Sequence, residues 1–463
     1  MSTRWLFAIA MVTALILASC GEDPGQAADI SGQWRGEILI AGVRLGISVG
    51  FEGSGETLSG TIDIPMQGAF GLNLSNLFVR SDSVGFDLPS GLGTASFRGT
   101  VSGDSIWGTF EQGMERGTFT LARMSAEDLP YHSEDVEMQG DDYVLSGTLT
   151  IPEGEPPFPC VVLLSGSGLQ ERNENVFGFE VFGTLADHLT RSGIAVLRFD
   201  DRGFARSTGS LEGINDSSMA VDAGLALDLA LADERIDSGA VGLLGHSEGS
   251  NIAFMQAVQR PADVAFVISM AGPALDGYHL ILDQLEVILE LQGHSEEEIA
   301  EKLALQRQVM DAVLAGEDLS SLDTLFRRQV TEQLDDLSEE ELAQIGDVDT
   351  YVEMAVQQSM SQVSSPWFYN FLSHDPTELV ARVDCPVLAL FGSLDVQVTA
   401  EANLEPMREA LEDNPDAEVI VVEGANHLFQ AASTGGVDEY PALEKDFIEG
   451  FKRTVSDWIL ENT

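Results

Sequence analysis

The chain has 463 residues and a formal net charge of −53, from 76 acidic against 23 basic side chains. A negative field of that size excludes nucleic acid and anionic membrane surfaces as partners of the folded body. A hydrophobic fraction of 44% excludes a disordered chain, and the length accommodates two or three domains.

In chain order, Arg4 precedes an apolar run from Trp5 to Ala18. The run is too short for a bilayer core, which needs about 20 residues, so residues 1–19 read as a signal peptide. Leu17-Ala18-Ser19-Cys20 resembles a bacterial lipobox. Cleavage before Cys20 leaves its thiol and amino group to be acylated, and more than one acyl chain anchors a protein stably. Residues 20–29 are then a tether, and the expected location is an exported, membrane-anchored lipoprotein of the bacterial cell envelope. Ordinary cleavage with secretion is the alternative.

Residues 30–124 alternate apolar and polar positions in short runs broken by Gly, Ser and Asp. They predict strands at Glu37 to Ile40, Leu45 to Phe51, Leu58 to Ile64, Leu77 to Arg80, Val84 to Leu88, Ala95 to Val101, Ser105 to Phe110 and Gly117 to Leu121. That spacing predicts a small antiparallel sandwich or barrel. Catalytic residue types do not cluster there. Residues 125–141 read as a polar connector, and a larger α/β domain is expected over 142–463.

Within that domain Cys160 to Leu164 predicts a buried strand, followed by Ser165-Gly166-Ser167-Gly168-Leu169. A glycine-rich loop could cradle phosphate, but no G-x-x-x-x-G-K-[ST] follows, and no G-x-G-x-x-G marks a dinucleotide site. Asp200 and Asp201 follow the strand from Ile194 to Phe199 and are read as structural. Gly245-His246-Ser247-Glu248-Gly249 fits the G-x-S-x-G nucleophile elbow, with the strand Ala240 to Leu244 before it and a helix from Ile252 after it. Ser247 is the expected nucleophile, at a helix N-terminus that favours a developing oxyanion. The amides of Glu248 and Ser167 are the expected oxyanion donors, with Gly168 the fallback.

From Asp276 to about Asp375 the apolar spacing turns helical, predicting a cap inserted between two strands of the sheet. Trp367 and Tyr369 near its end are candidates for an acyl pocket, or else pack the cap onto the core. An elbow demands an acid and then a histidine further along. Asp395 follows the strand Cys385 to Gly392, and His427 follows the strand Val419 to Val422. Of seven histidines only His427 has that position; His132, His188, His279, His294 and His374 lie in segments read as helical or linking. No Cys or His cluster has metal-ligand spacing, and no cofactor is expected.

SGSG followed by QERN, the segment VLRFDDRGFARSTG from Val196 to Gly209, the GHSEG elbow and SPWFYNFLSHDP from Ser365 to Pro376 together resemble the α/β-hydrolase superfamily, and within it bacterial carboxylesterases of the EstD type. The resemblance runs from about residue 142 to the C-terminus. It implies an α/β-hydrolase fold, a mostly parallel sheet flanked by helices with a helical cap, preceded by a small all-β domain. It also implies a strand order that separates Cys160 from Cys385 by two strands, about three times ~4.8 Å and beyond disulfide reach. The family has Asp where Glu171 stands and Gly where Ser250 stands. The expected activity is hydrolysis of small-molecule carboxylic esters with small to medium acyl groups, through an acyl-enzyme on Ser247. A peptidase of the same fold, or a surface ligand-binding lipoprotein with an idle hydrolase domain, is the alternative; the oligomeric state is not readable. Only three of the cations are lysine, Lys302, Lys445 and Lys452, and the acids are spread over the chain, similar to proteins of salt-loving organisms.

Overall fold

The computed structural model describes residues 28–463 apart from 41–42, 65–66, 68, 91–92, 125–128, 212–213, 336–344 and 346. The signal segment and Cys20 therefore lie outside the described residues. The chain divides into two compact units, one within residues 1–125 and the other taking 126–463 with a short piece, 65–71.

In the first unit nine strands form one sheet: β1 Gly32–Ile40, β2 Val43–Glu52, β3 Ser59–Ile64, β4 Ala69–Asn73, β5 Ser75–Arg80, β6 Ser83–Leu88, β7 Ala95–Ser102, β8 Ser105–Gln112 and β9 Glu115–Arg123. The order is β4-β3-β2-β1-β9-β8-β7-β6-β5. Neighbours such as β1 and β2, β1 and β9, and β7 and β8 pair antiparallel. Alternation sends Trp34, Val49, Phe51, Phe86, Phe97 and Phe119 into a buried core, where Phe86 stacks on Phe97 at 4.6 Å. Gly103 and Gly113 open the two-residue turns before β8 and β9 with φ of 58° and 59°, the positive values such links require. Ala69–Asn73 is absent from the strands expected above, because Gly71 at φ 61° interrupts the alternation of a five-residue run.

The second unit holds an eight-stranded sheet of β10 Tyr131–Gln139, β11 Val144–Pro152, β12 Phe158–Leu164, β15 Ala195–Phe199, β16 Ile236–His246, β17 Val267–Met270, β18 Val387–Gly392 and β19 Ala417–Val422. The two-residue strands β13 Asn175–Val176 and β14 Phe179–Glu180 pair separately. The order is β10-β11-β15-β12-β16-β17-β18-β19, antiparallel through β10, β11 and β15 and parallel from β15 to β19. The stretch read as a polar connector is corrected here: its second half is β10, and His132 lies on it. As an edge strand with one solvated face, β10 carries the charged run Glu134, Asp135, Glu137 that sequence reading took for a linker.

The parallel strands are apolar at successive positions because both their faces are covered. On β12, Cys160, Val162 and Leu164 enter one core cluster while Val161 and Leu163 enter the other. The first cluster takes Ala223 and Leu227 from the helix Asp216–Ala232 and Ile252 and Phe254 from the helix Glu248–Gln259. The second takes Leu185 and Leu189 from the helix Val181–Arg191 and Val455 and Ile459 from the helix Phe451–Glu461. Between β17 and β18 come the cap helices Gly277–Leu291, Glu296–Leu314, Leu322–Asp335, Val348–Val363 and Pro366–Ser373, with a core of their own around Met310 and Val356. Cys160 and Cys385 are free thiols, with β16 and β17 between their strands; burial pushes Cys385 up to about 11.

The surplus of acids over cations makes ionic strength a lever on stability. The melting temperature is expected to rise between 0.1 M and 1 M potassium chloride, as the Debye length falls from about 10 Å to about 3 Å and self-repulsion is screened. A flat or falling melting temperature across that range would count against adaptation to salt.

Candidate active site

Ser247, Asp395 and His427 each stand in the loop after the carboxyl end of a parallel strand, β16, β18 and β19 respectively. In open α/β sheets that is the edge where ligands bind. Ser247 has φ 53° and ψ −123°, a strained conformation for a residue with a side chain. The flanking glycines make the turn possible. A Cβ on Gly245 would lie 2.1 Å from the Gly249 carbonyl oxygen, and one on Gly249 would lie 2.2 Å from that of Leu164. Ser250, where the family resemblance has Gly, donates its buried hydroxyl to the Gly245 carbonyl at 2.8 Å, so the substitution braces the elbow from behind.

Asp395 and His427 meet. His427 Nδ1–H donates to Asp395 Oδ2 at 2.7 Å, and both side chains are buried. Asp395 Oδ1 accepts from the Gln397 and Val398 amides at 2.8 and 3.0 Å, which turns the other oxygen toward the imidazole. Asn426 Oδ1 accepts from the Leu428 and Gln430 amides and shapes the loop that presents His427.

His246, beside Ser247, is absent from the cavity wall described below and joins a buried network. Its Nδ1–H donates to Glu174 Oε1 at 2.8 Å, and its Nε2–H donates to the His427 carbonyl oxygen at 3.1 Å. Burial opposes its charged form, but the Glu174 carboxylate and both hydrogen bonds outweigh burial and hold its pKa above the usual histidine value. Glu174 Oε1 also accepts from the Gly166 amide at 2.9 Å. With that amide engaged, Ser167 is the next donor along the loop, and the Glu248 amide begins the helix after Ser247.

A cavity of about 390 Å³ opens against Ser165, Ser167, Gly168 and Glu248, with Leu164, Phe199, Ile214, Met219, Ile252 and Trp367 among its apolar walls. Trp367 stacks on Phe371 at 5.2 Å. Tyr369 does not line the cavity: it is 46% exposed and absent from the wall, because two residues carry it about 200° round the helix from the face that Trp367 and Phe371 present. The Glu248 side chain reaches the cavity, where the Trp367 indole N–H donates to it at 3.4 Å. Burial and the Asp216 carboxylate push its carboxyl above the usual range. Asp201 lines the same wall, accepting from the Ser165 hydroxyl at 3.0 Å and the Gln170 amide at 2.7 Å, and burial pushes it up to about 7. Among the described residues no group of His, Cys, Asp and Glu could hold a metal.

A family model described as serine aminopeptidase, S33, matches residues 179–431, more than half of the chain and the stretch that carries the elbow, Asp395 and His427. The chain belongs to this S33 family. It is similar to the esterase EstD of Thermotoga maritima, 27% identical over 302 residues, which are 64% of this chain and 60% of that protein. The matched stretch thus spans less than two thirds of that esterase. A putative carboxymethylenebutenolidase of Yersinia pestis is 32% identical over 93 residues, 20% of this chain and 32% of that protein. Among solved structures, an esterase of Pyrococcus furiosus aligns with a TM-score of 0.45 at 16% identity, covering 73% of this chain and 94% of that one.

Proposed function

We propose that this member of the S33 family is a serine hydrolase of carboxylic esters with small to medium acyl groups. The observation that carries the reading is the buried Asp395 to His427 hydrogen bond of 2.7 Å beside a strained serine elbow. Ser247 Oγ attacks the ester carbonyl while His427 takes its proton; Asp395 holds the imidazole in the tautomer that accepts at Nε2 and stabilises the imidazolium. The oxyanion is met by the Ser167 and Glu248 amides. His427 returns the proton to the leaving alkoxide, and water, deprotonated by the same histidine, cleaves the acyl-enzyme to acid and free serine.

The cavity, with apolar walls and a volume of about 390 Å³, has room for a short or medium acyl chain. Trp367→Ala enlarges it. The ratio of kcat/KM for an octanoyl ester to that for an acetyl ester is expected to rise by about tenfold, the low end of what one methylene is worth in an apolar pocket. Tyr369→Ala should leave that ratio unchanged, and equal ratios for parent and Trp367→Ala would remove Trp367 from the acyl pocket.

A second reading, an aminopeptidase, is favoured by the Glu248 and Asp201 carboxylates on the cavity wall, where a substrate ammonium could pair with them. A panel of acyl esters and aminoacyl amides separates the two. Ester turnover without amide turnover supports the esterase; faster cleavage of amides bearing a free amino group supports the peptidase.

A further inference from the structure

Resting on the serine-hydrolase reading above, we propose that Glu174 is a positioning residue, binding the three loops of the site together through His246 and keeping an imidazolium against the catalytic base. A single carboxylate oxygen, Glu174 Oε1, accepts from the Gly166 amide and from His246 Nδ1–H. Gly166 precedes the oxyanion residue Ser167, and its α-carbon packs so closely on the nucleophile that a Cβ there would lie 3.2 Å from Ser247 Cβ. His246 precedes Ser247, and its other nitrogen donates to the backbone carbonyl of His427. Oxyanion loop, nucleophile and base thus share one anchor that is only 1% exposed.

The charge follows from the partners. Both ring nitrogens of His246 face acceptors, a carboxylate and a carbonyl oxygen, so both carry protons. The resulting imidazolium has its ring centroid 4.9 Å from that of His427. The other ionisable groups acting on this pair are Asp395, which faces His246 from the acid loop, and Asp201, which faces Glu174 from the loop after β15.

The test uses the full-length protein, with active sites counted by complete labelling of Ser247 with a fluorophosphonate. Glu174→Gln keeps the shape and an oxygen that can accept both bonds, but a neutral partner leaves His246 with a single ring proton, so the donation to the His427 carbonyl and the charge are lost. Per labelled site its kcat is expected to fall by about 10²-fold, as for a misplaced catalytic group, with KM little changed. Glu174→Asp keeps the charge and loses the reach, so its kcat should stay low as well. His246→Asn removes the link itself and should lower kcat with KM little changed, serving if Glu174→Gln does not fold. If Glu174→Gln or His246→Asn turns over at the parent's kcat per labelled site, the proposal is overturned, whatever the melting temperature. A parent enzyme that the fluorophosphonate does not label at Ser247 would instead sink the serine-hydrolase reading itself.

Discussion

Ser247→Ala and His427→Ala are each expected to lower ester turnover by on the order of 10⁶-fold while the protein stays folded, the scale seen when either member is removed from a serine protease. The two losses should not add, because nucleophile and base act as one unit: the double variant should be about as slow as either single one. Asp395→Asn is expected to cost about 10⁴-fold. Its new amide can be placed only with NH₂ against His427 Nδ1 or with NH₂ against the Gln397 and Val398 amides. The first forces the imidazole into the wrong tautomer, and the second gives up the clamp that aims the side chain. Steady-state kinetics on an acetyl ester, with circular dichroism to verify folding, checks all three. An active Ser247→Ala would end the mechanism, and a benign Asp395→Asn would place the acid elsewhere.

The largest effect on stability is expected at Arg172, which lies outside the triad. Its guanidinium donates to both carboxylate oxygens of Asp200, at 2.9 and 2.7 Å, and also to Gly147 O, Thr148 Oγ1 and Ser146 Oγ. Its backbone amide donates to Asp200 Oδ1 at 2.8 Å. Asp200 is only 2% exposed, so Arg172→Met leaves a buried carboxylate without its cation. That should cost about 3–5 kcal/mol, and lower the melting temperature by on the order of 10 °C. Arg172→Met combined with Asp200→Asn should recover part of the loss, since the orphaned charge goes with its partner. Thermal denaturation of the two single variants and the double variant checks this; single-variant losses below about 1 kcal/mol would mean that water reaches the pair.

Ser247, Asp395 and His427 were legible because local rules fix them. Strand, tight turn and helix leave their marks on a few adjacent residues, and chain order then selects one histidine of seven. The cap was legible for a similar reason, since helical spacing interrupts a series of buried strands. The strand β10 was not, because an edge strand with a solvated face is as polar as a linker, and only its pairing with β11 distinguishes the two.

By itself the sequence determined the two kinds of sheet, the elbow, the cap and the order of acid and base, all of which follow from periodicity or from steric demands over a handful of residues. Tertiary structure alone decided which side chains meet across the chain. Glu174 and His246 are separated by 72 positions, and Arg172 and Asp200 by 28. Nothing in the run QERNEN distinguishes the glutamate that ties three loops together from the one two residues before the asparagine it serves. Likewise Trp367 and Tyr369 are two aromatics in one short helix, and only the docking of that helix turns one into the cavity and the other into water. Contacts of that kind depend on where separate elements are brought in space, which no local pattern records.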